Sequence, residues 1–327
     1  MFGTVTFGNA NALNTTATFG GCGVYVLRLT ADDGDMTSYD EVTISVVVAP
    51  PWSFTANYYI DGIGGSDLNA GTSAAPFKTI SKAISVAGVS KTLLVWGGHT
   101  YNKMLTFTPN STTLKRDLAS GEAIITAGGL GDVIFLSKSN CTIDGFTITN
   151  GVQGVHLLNS TATGGIVKNC RIKNNTNNGV LLNKAPNCTV NNCAIYLNAQ
   201  SPDYAGVYAF GQGATGNTVT QCTIYGGSIG VYADSSNATI TTLRDCIISG
   251  TSSSAIRAGS GNTISPITYC DVTGSISGVT LGTGCTTGDP LLHDPANGDF
   301  HLDPGSPAHN TASDSGDMGY RYSSSAL

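Results

Sequence analysis

The middle of the chain repeats one six-residue pattern, whose copies are GFTITN from Gly145, NCRIKN from Asn169, NCAIYL from Asn192, QCTIYG from Gln221, DCIISG from Asp245 and YCDVTG from Tyr269. A second pattern keeps the same spacing, with the copies GVHLLN from Gly154, GVLLNK from Gly179, GVYAFG from Gly206, GVYADS from Gly230, AIRAGS from Ala255 and GVTLGT from Gly278. Two short strand-like patterns with a period of about two dozen residues predict a solenoid. A coil of that size cannot bury its apolar face alone, so it must stack on its neighbours.

Apolar and polar residues alternate within both patterns, as expected for strands with one buried face. In the copy from Asn169, Cys170 and Ile172 are predicted to point inward, and Arg171 and Lys173 outward. A third, weaker strand is predicted before each copy of the first pattern, centred on Ile143, Val167, Val190, Val219, Leu243 and Ile267. Three short strands per coil predict an all-β fold, a parallel β-helix whose hand should be right.

Five of the nine cysteines share one position of the first pattern, and these are Cys170, Cys193, Cys222, Cys246 and Cys270. We predict that they form a buried column of reduced thiols, because parallel side chains on adjacent strands lack the geometry of a disulfide. Cys22, Cys141, Cys188 and Cys285 are the more plausible disulfide partners, and their pairing stays open. The odd total leaves at least one free thiol.

Composition excludes some classes of function. The net charge is −6 and only 11 % of residues are charged, which argues against nucleic acid as a partner. No apolar run reaches the length of a membrane span, and the N-terminus lacks the pattern of a signal peptide. The abundance of Ser, Thr, Asn and Gly nevertheless favours an extracellular or cell-surface protein, present here as a mature or trimmed piece.

Residues 1–50 have a different character. Alternating strands are predicted at TVTF from Thr4, TTATF from Thr15, VYVLRLTADDG from Val24 and DEVTISVVV from Asp40. This stretch resembles the second half of the immunoglobulin-like PKD-type modules of secreted bacterial proteins. The resemblance implies a partial sandwich whose apolar face lacks a cover. Either the segment packs along the solenoid or a neighbouring copy covers it, and the second case would give an oligomer or a fibre.

Residues 51–88 contain the phrase GGSDLNAGTSAAPFKTI, from Gly64 to Ile80. It resembles the entry segment of secreted right-handed β-helix proteins, including the pectate-lyase-like superfamily. Pro76 is predicted to open a short helix whose apolar face caps the first coil with Phe77, Ile80 and Ile84. The β-helix is predicted over 89–285. Residues 286–327 are predicted to close it, because DPLLHDPANGDFHLDPGSPAHN from Asp289 resembles the closing segment of the same proteins.

The resemblance implies two kinds of catalytic site, and neither carries over. Pectate lyases hold Ca²⁺ with clustered Asp residues, and polygalacturonases pair Asp residues beside G-H-G and R-I-K phrases. No two carboxylates share a row in adjacent coils of this chain, and Arg171-Ile172-Lys173 matches only in letters. His293, His301 and His309 lie near acids, but the intervening Pro and Gly favour closing turns. We predict no metal and no cofactor.

Outward positions of the predicted sheets carry the candidate binding residues, which are His156, Tyr208, Phe210, Tyr232, Asp234, Arg257, Lys173, Tyr196 and Tyr225. Aligned aromatic side chains on neighbouring strands can form a flat platform for sugar rings. Cross-strand stacking that only stabilises the sheet explains the same pattern equally well.

These features favour a non-catalytic β-solenoid with a structural, adhesive or glycan-binding role. Its expected partners are a polysaccharide or neighbouring copies of itself. The alternative is a polysaccharide lyase acting on an acidic polysaccharide. In that case Arg257 would neutralise a uronate carboxylate, and Tyr232 or His156 would move protons.

Overall fold

The structure is a computed structural model that describes residues 4–12, 14–20, 23–46, 51–198 and 201–321. It divides into two compact units, residues 1–50 and residues 51–327. We call them unit 1 and unit 2. In the described part of the chain, no helix has the length and apolar character needed to cross a membrane.

Unit 1 contains two antiparallel strand pairs, β1 (Val5–Phe7) with β2 (Ala17–Phe19) and β3 (Gly23–Asp32) with β4 (Thr37–Val46). The rings of Phe19 and Tyr25 lie 4.8 Å apart. One face of the β3–β4 hairpin carries Leu29 and Val42, which are 75 % and 53 % exposed. The predicted strands are therefore present, and within the described residues this apolar face is largely open. The relation to PKD-type modules stays a prediction.

Unit 2 is built from three parallel sheets. The first sheet contains β5 (Tyr58–Ile60), β6 (Thr92–Val95), β9 (Thr113–Arg116), β12 (Thr142–Asp144), β15 (Ile166–Lys168), β18 (Thr189–Asn191), β21 (Asn217–Thr220), β24 (Thr239–Arg244), β27 (Thr263–Ile264) and β28 (Ile267–Thr268). The second sheet contains β7 (His99–Asn102), β10 (Ala123–Thr126), β13 (Thr147–Thr149), β16 (Arg171–Lys173), β19 (Ala194–Tyr196), β22 (Thr223–Tyr225), β25 (Ile247–Ser249) and β29 (Asp271–Val272). The third sheet contains β8 (Leu105–Phe107), β11 (Ile134–Leu136), β14 (Val155–Leu158), β17 (Val180–Asn183), β20 (Ala205–Phe210), β23 (Ile229–Asp234), β26 (Ser254–Ala258) and β30 (Ile276–Ser277).

Successive coils contribute one strand to each sheet, so the chain winds as a parallel β-helix. The inward row of the second sheet shows how the core forms, with Ile125, Ile148, Ile172, Ile195, Ile224 and Ile248 in register. Each of these side chains is at most 1 % exposed. The third, weaker strand predicted in each coil is confirmed. These strands form the first sheet, and their predicted central residues are all buried.

A sharp corner separates the first sheet from the second in each coil. Asn169, Asn192, Gln221 and Asp245 occupy it with φ between 48° and 57°, a left-handed conformation in which Asn and Asp are less disfavoured than most residues. Asn192 Nδ2 donates to Asn169 Oδ1 at 2.9 Å, and Asn169 Nδ2 donates to Asp144 Oδ1 at 2.7 Å. Side-chain hydrogen bonds thus hold successive corners in line.

The predicted thiol column follows this corner, and it is confirmed. Cys170, Cys193, Cys222, Cys246 and Cys270 are fully buried free thiols. Burial raises the pKa of the Cys193 and Cys246 thiols, which keeps them protonated. The expectation of disulfides is wrong for three of the remaining cysteines, because Cys141, Cys188 and Cys285 are also free thiols. Cys22 lies outside the described residues.

The entry segment differs in detail from its prediction. Helix α1 spans Ile80–Val86 and begins after Thr79, so Pro76 does not open it. Phe77 precedes the helix and forms a parallel bridge with Ile60. It is buried with Ile80 and Ile84 as expected. Strand β5, in the same segment, forms the outer edge of the first sheet.

Asp67 explains much of the entry motif. Its carboxylate accepts hydrogen bonds from the backbone N–H groups of Lys78 and Thr79, at 3.0 Å and 2.9 Å, and from the Thr79 hydroxyl at 2.8 Å. Asn69 Nδ2 donates to the carbonyl of Pro76 at 2.9 Å. These bonds fix the backbone that leads into α1. They also give hydrogen-bond partners to polar groups that the fold removes from water.

Residues 289–321, which we call the closing segment, lie across the outer face of the second sheet. They include an antiparallel hairpin of β31 (Leu292–Asp294) and β32 (Asp299–Leu302). Arg171 Nη2 donates to the Gly298 carbonyl at 2.7 Å, and the Tyr320 N–H donates to Thr223 Oγ1 at 2.9 Å. Asp245 accepts from the Ser313 N–H at 2.7 Å. Met318 packs on Ile247 from outside.

Replacing Cys222 with Asp should be severely destabilising, by about 4 kcal/mol or more, because an unpaired charge would enter the dry column. The substitution Cys222→Ala should cost less, since it leaves only a small cavity. Denaturant unfolding measures both free energies. Similar losses for the two variants would contradict the buried, apolar character of the column.

The closing end also buries an acid. Asp271 is fully buried, and neither of its carboxylate oxygens has a hydrogen-bond partner among the described residues. Burial, reinforced by the nearby carboxylate of Asp289, raises the pKa of Asp271 from 3.8 to about 6. The folded protein therefore favours the protonated acid. This contribution to stability is present below about pH 4 and is lost as the pH rises through about 6.

The variant Asp271→Asn should consequently gain stability over the original protein at pH 7.5 but not at pH 4. Thermal unfolding of both proteins at the two pH values measures the difference. Asp35→Asn, at an exposed position of unit 1, serves as the control and should change little at either pH. An equal effect of Asp271→Asn at both pH values would show that Asp271 does not titrate in this range.

Candidate functional site

The outer face of the third sheet carries most of the predicted binding residues in one row. The strand register places His156 beside Leu181, then Tyr208, Tyr232 and Arg257 in successive coils. Because side chains alternate across a strand, the flanking Val and Ala residues fill the core while this row points out. The spacing of the second pattern predicts this alignment, and it is confirmed from His156 to Arg257. It is wrong for Thr280 in the last copy, because Ser277 of β30 pairs with Arg257.

Tyr208, Tyr232 and Arg257 form what we call the tyrosine stack. The two rings are parallel, with centroids 4.7 Å apart and planes inclined by 6°. The Arg257 guanidinium lies over the Tyr232 ring, 4.9 Å from its centroid. The tyrosines are only 8 % and 6 % exposed and pack on Ala205 and Ile229. Their ring faces meet each other, so the prediction of a flat exposed platform is wrong.

The Asp234 carboxylate lies at the polar edge of the stack. Tyr208 Oη donates to Asp234 Oδ2 at 3.5 Å, and Phe210 packs edge-on against the Tyr208 ring at 5.4 Å. Burial, and next the charge of Asp234, raises the pKa of Tyr208. Burial, and next the proximity of Asp234, also raises the pKa of Tyr232. Both phenols are therefore neutral hydrogen-bonding groups at physiological pH, and neither is suited to act as a base.

Arg257 follows Tyr232 in the row and carries the positive charge of the stack. Among the described residues, no carboxylate oxygen lies within 4.0 Å of its guanidinium nitrogens. A guanidinium offers several N–H donors in a plane, which suits carboxylates and sugar hydroxyls alike. It is thus the group of the stack best placed to meet a ligand.

His156 belongs to a separate network. Its Nδ1 lies 2.6 Å from Asp132 Oδ2, and its Nε2 lies 3.3 Å from Asn183 Nδ2. With Nδ1–H donating to Asp132 and Nε2 accepting from Asn183, both ring nitrogens are engaged. Phe135 packs edge-on against the imidazole at 5.3 Å. Sequence reasoning gave Asp132 no role in this site, although it precedes His156 by 24 positions, one coil.

The weak catalytic candidates do not converge. His156 and Tyr232 are three strand steps apart in the register, and His156 and Arg257 are four. At the usual spacing of strands these steps amount to about 14 Å and about 19 Å. One scissile bond cannot lie within hydrogen-bonding reach of His156 and of the other two.

The predicted binding residues on the second sheet lie where the closing segment packs. Tyr196 is 2 % exposed, because Phe300 of the closing segment packs on it with ring centroids 5.0 Å apart. Its predicted exposure is wrong. Lys173 reaches over the Tyr196 ring at 5.7 Å, and Tyr225 is half-buried against the same cluster. These three residues serve the attachment of the closing segment.

The closing histidines form separate pairs. His293 Nδ1 lies 3.0 Å from Asp303, and His309 Nδ1 lies 2.7 Å from Asp317. His301 pairs with Asp299. Hydrogen bonding to Asp303 raises the pKa of His293. Across the described ranges, no three His, Cys, Asp or Glu residues are grouped so that they could hold a metal ion.

Comparison with known proteins adds the hand of the fold. Residues 128–288 match the family described as "Right handed beta helix region". The fold is a right-handed parallel β-helix. Residues 63–108, which hold the entry motif and the first strands of the second and third sheets, match a family described as "Protein of unknown function (DUF1565)". No curated protein matches the sequence.

Two solved structures are similar to this right-handed β-helix. A complex of XylC with xylose has a TM-score of 0.53 and 10 % identity, covering 72 % of this chain and 70 % of that one. Pectate lyase Pel9A has a TM-score of 0.50 and 13 % identity, covering 81 % of this chain and 96 % of that one. At these identities the likeness establishes the fold, while function has to be argued from the site.

Proposed function

We propose that this protein binds a glycan along the outer face of the third sheet and does not cleave it. The observation that carries the proposal is the row in which the register places Tyr208, Tyr232 and Arg257, with the Asp234 carboxylate beside it at the next outward position. Sugar hydroxyl groups both donate and accept hydrogen bonds. A row of neutral phenols, a carboxylate and a guanidinium matches both needs.

The rigidity of the row supports this role. Ring stacking and burial against the sheet hold Tyr208 and Tyr232 in single positions, so little side-chain entropy remains to be lost on binding. The two similar solved structures are, by their titles, a protein in complex with xylose and a pectate lyase. Their shared architecture makes a sugar ligand a natural first candidate for this surface.

Separation of the reactive groups supports binding rather than cleavage. A lyase of the predicted kind would need a base near the group that neutralises the uronate carboxylate. The hydroxyl group next to Arg257 belongs to Tyr232. The pKa of this hydroxyl is raised rather than lowered, so it is not suited to act as the base. His156 is paired at both nitrogens and lies about 19 Å away along the sheet.

Loss of the guanidinium in Arg257→Ala should weaken glycan binding about tenfold, and loss of one hydroxyl in Tyr232→Phe about fivefold. Affinity electrophoresis against a panel of neutral and uronate polysaccharides measures this. The control Arg244→Ala removes an exposed arginine from the outer side of the first sheet and should bind like the original protein. Equal retention of all three variants and the original protein would overturn the proposed surface.

The same mixtures test cleavage. Incubation with uronate polysaccharides should give no rise in the ultraviolet absorbance of unsaturated chain ends. A rise that Tyr232→Phe or Arg257→Ala abolishes would replace the binding proposal with the lyase alternative.

We also propose that unit 1 mediates self-association of a protein located outside the cell or at its surface. The open face of the β3–β4 hairpin with Leu29 and Val42 supports this, because exposed apolar faces of that kind mark interaction surfaces. Fractionation of the producing cells tests the location.

Substitution of Leu29 by Lys should reduce association, since a charge at the centre of the face would have to be desolvated. Light scattering should give masses above the 33.5 kDa of one chain for the original protein and close to that value for Leu29→Lys. Thr30→Lys, on the opposite face of the same strand, should behave like the original. Monomeric masses throughout would end the self-association proposal.

A further inference from the structure

A second surface of unit 2 has the features of a ligand site. A cleft of about 490 Å³ lies at the first coil, between the approach to α1 and the turn that joins β7 to β8. Its lining comes entirely from residues 62–105. The volume falls within the range of pockets that bind small molecules. None of the predicted binding residues contributes to it.

The lining combines an apolar floor with polar walls. Ile80, Tyr101 and Leu105 are buried side chains that face the cleft from the core. Ser81 and Asn102 bring a hydroxyl and an amide to the same space. This composition, mostly apolar with a few directed polar groups, is the usual one for sites that bind small ligands.

Positive charge dominates the walls. Lys78 and Lys103 both line the cleft, and no carboxylate oxygen in the described residues lies within 4.0 Å of either amino group. Asp67 is the acid in the lining, but its oxygens already accept the hydrogen bonds that hold the approach to α1. Two lysines without a carboxylate partner among the described residues therefore line one cleft of a chain whose net charge is −6.

The cleft is held in shape before any ligand arrives. The His99 ring packs closely against Gly62, where a Cβ atom would come within 2.1 Å of the imidazole. It also packs edge-on against Tyr101, with centroids 4.9 Å apart. The Tyr101 hydroxyl donates to the Trp96 carbonyl at 2.8 Å and accepts from the Gly62 N–H at 3.2 Å. Pre-formed walls of this kind reduce the cost of binding.

We propose that this cleft binds the anionic group of a sugar-sized ligand, a carboxylate or a phosphate. Lys78 and Lys103 would supply charge-assisted hydrogen bonds to the anion, which are stronger than neutral ones. The hydroxyl and amide groups would meet the remaining polar atoms of the ligand. The proposal stands independently of the glycan surface, because the two sites share no residue.

Calorimetric titration of the full chain with D-galacturonate, inorganic phosphate and D-galactose tests it. Galactose lacks the carboxylate and is the neutral control. Galacturonate, phosphate or both should bind, more weakly at high ionic strength, and galactose should not. Binding of phosphate without galacturonate would identify the ligand as a phosphate. Equal binding of galactose and galacturonate, or no binding of either anion, would overturn the proposal.

Variants locate the site. The double variant Lys78→Gln/Lys103→Gln should bind the anion at least about tenfold more weakly, since both charge-assisted bonds are lost. Lys82→Gln, which neutralises a lysine of α1 outside the lining, should bind like the original protein. Unaltered affinity in a double variant with unaltered thermal unfolding would show that the anion binds elsewhere.

Discussion

Strict register between coils is the constraint on which the rest of the structure depends. Each coil contributes two to six residues per strand, too few to bury an apolar face alone, so the hydrogen-bonded ladders to the neighbouring coils supply both the pairing and the cover. Because the coils share one repeat length, equivalent residues of successive coils fall into aligned rows. The isoleucines of the second sheet, the thiols at the corner and the tyrosines outside all stand in line for the same reason.

The regular coils stop at the two ends of the solenoid. At both ends, hydrogen bonds of polar side chains attach the terminal segments. Asp67 and Asn69 hold the approach to the capping helix through backbone hydrogen bonds. At the other end, the closing segment bonds to the corner residues Asn192 and Asp245. The corner ladder thus has two uses, since its side chains bind one another in the middle coils and the closing segment further along.

The closing segment also decides which outer face can be a binding surface. It packs on Tyr196 and Ile247 and occupies much of the outer face of the second sheet. The row of Tyr208, Tyr232 and Arg257 lies on the third sheet instead. The first-coil cleft lies beside the capping helix. The proposed glycan surface thus lies on a sheet other than the one that the closing segment covers, whereas the cleft is built partly by the entry segment.

By itself, the sequence determined the solenoid, its three strands per coil, the inward and outward rows and the buried thiol column. It could do so because a repeat of about two dozen residues with alternating polarity leaves a chain few other ways to bury its apolar groups. It also placed Tyr208, Tyr232 and Arg257 in one row, since that follows from spacing alone. Tertiary structure decided how these residues are used. The direction of the tyrosine rings depends on stacking, and the burial of Tyr196 depends on a segment about a hundred residues away in sequence. The first-coil cleft depends on the packing of the entry segment beside the β7–β8 turn, which brings Lys78 and Lys103 into one lining. Contacts of this kind join residues that share no period, so no repeat in the sequence records them.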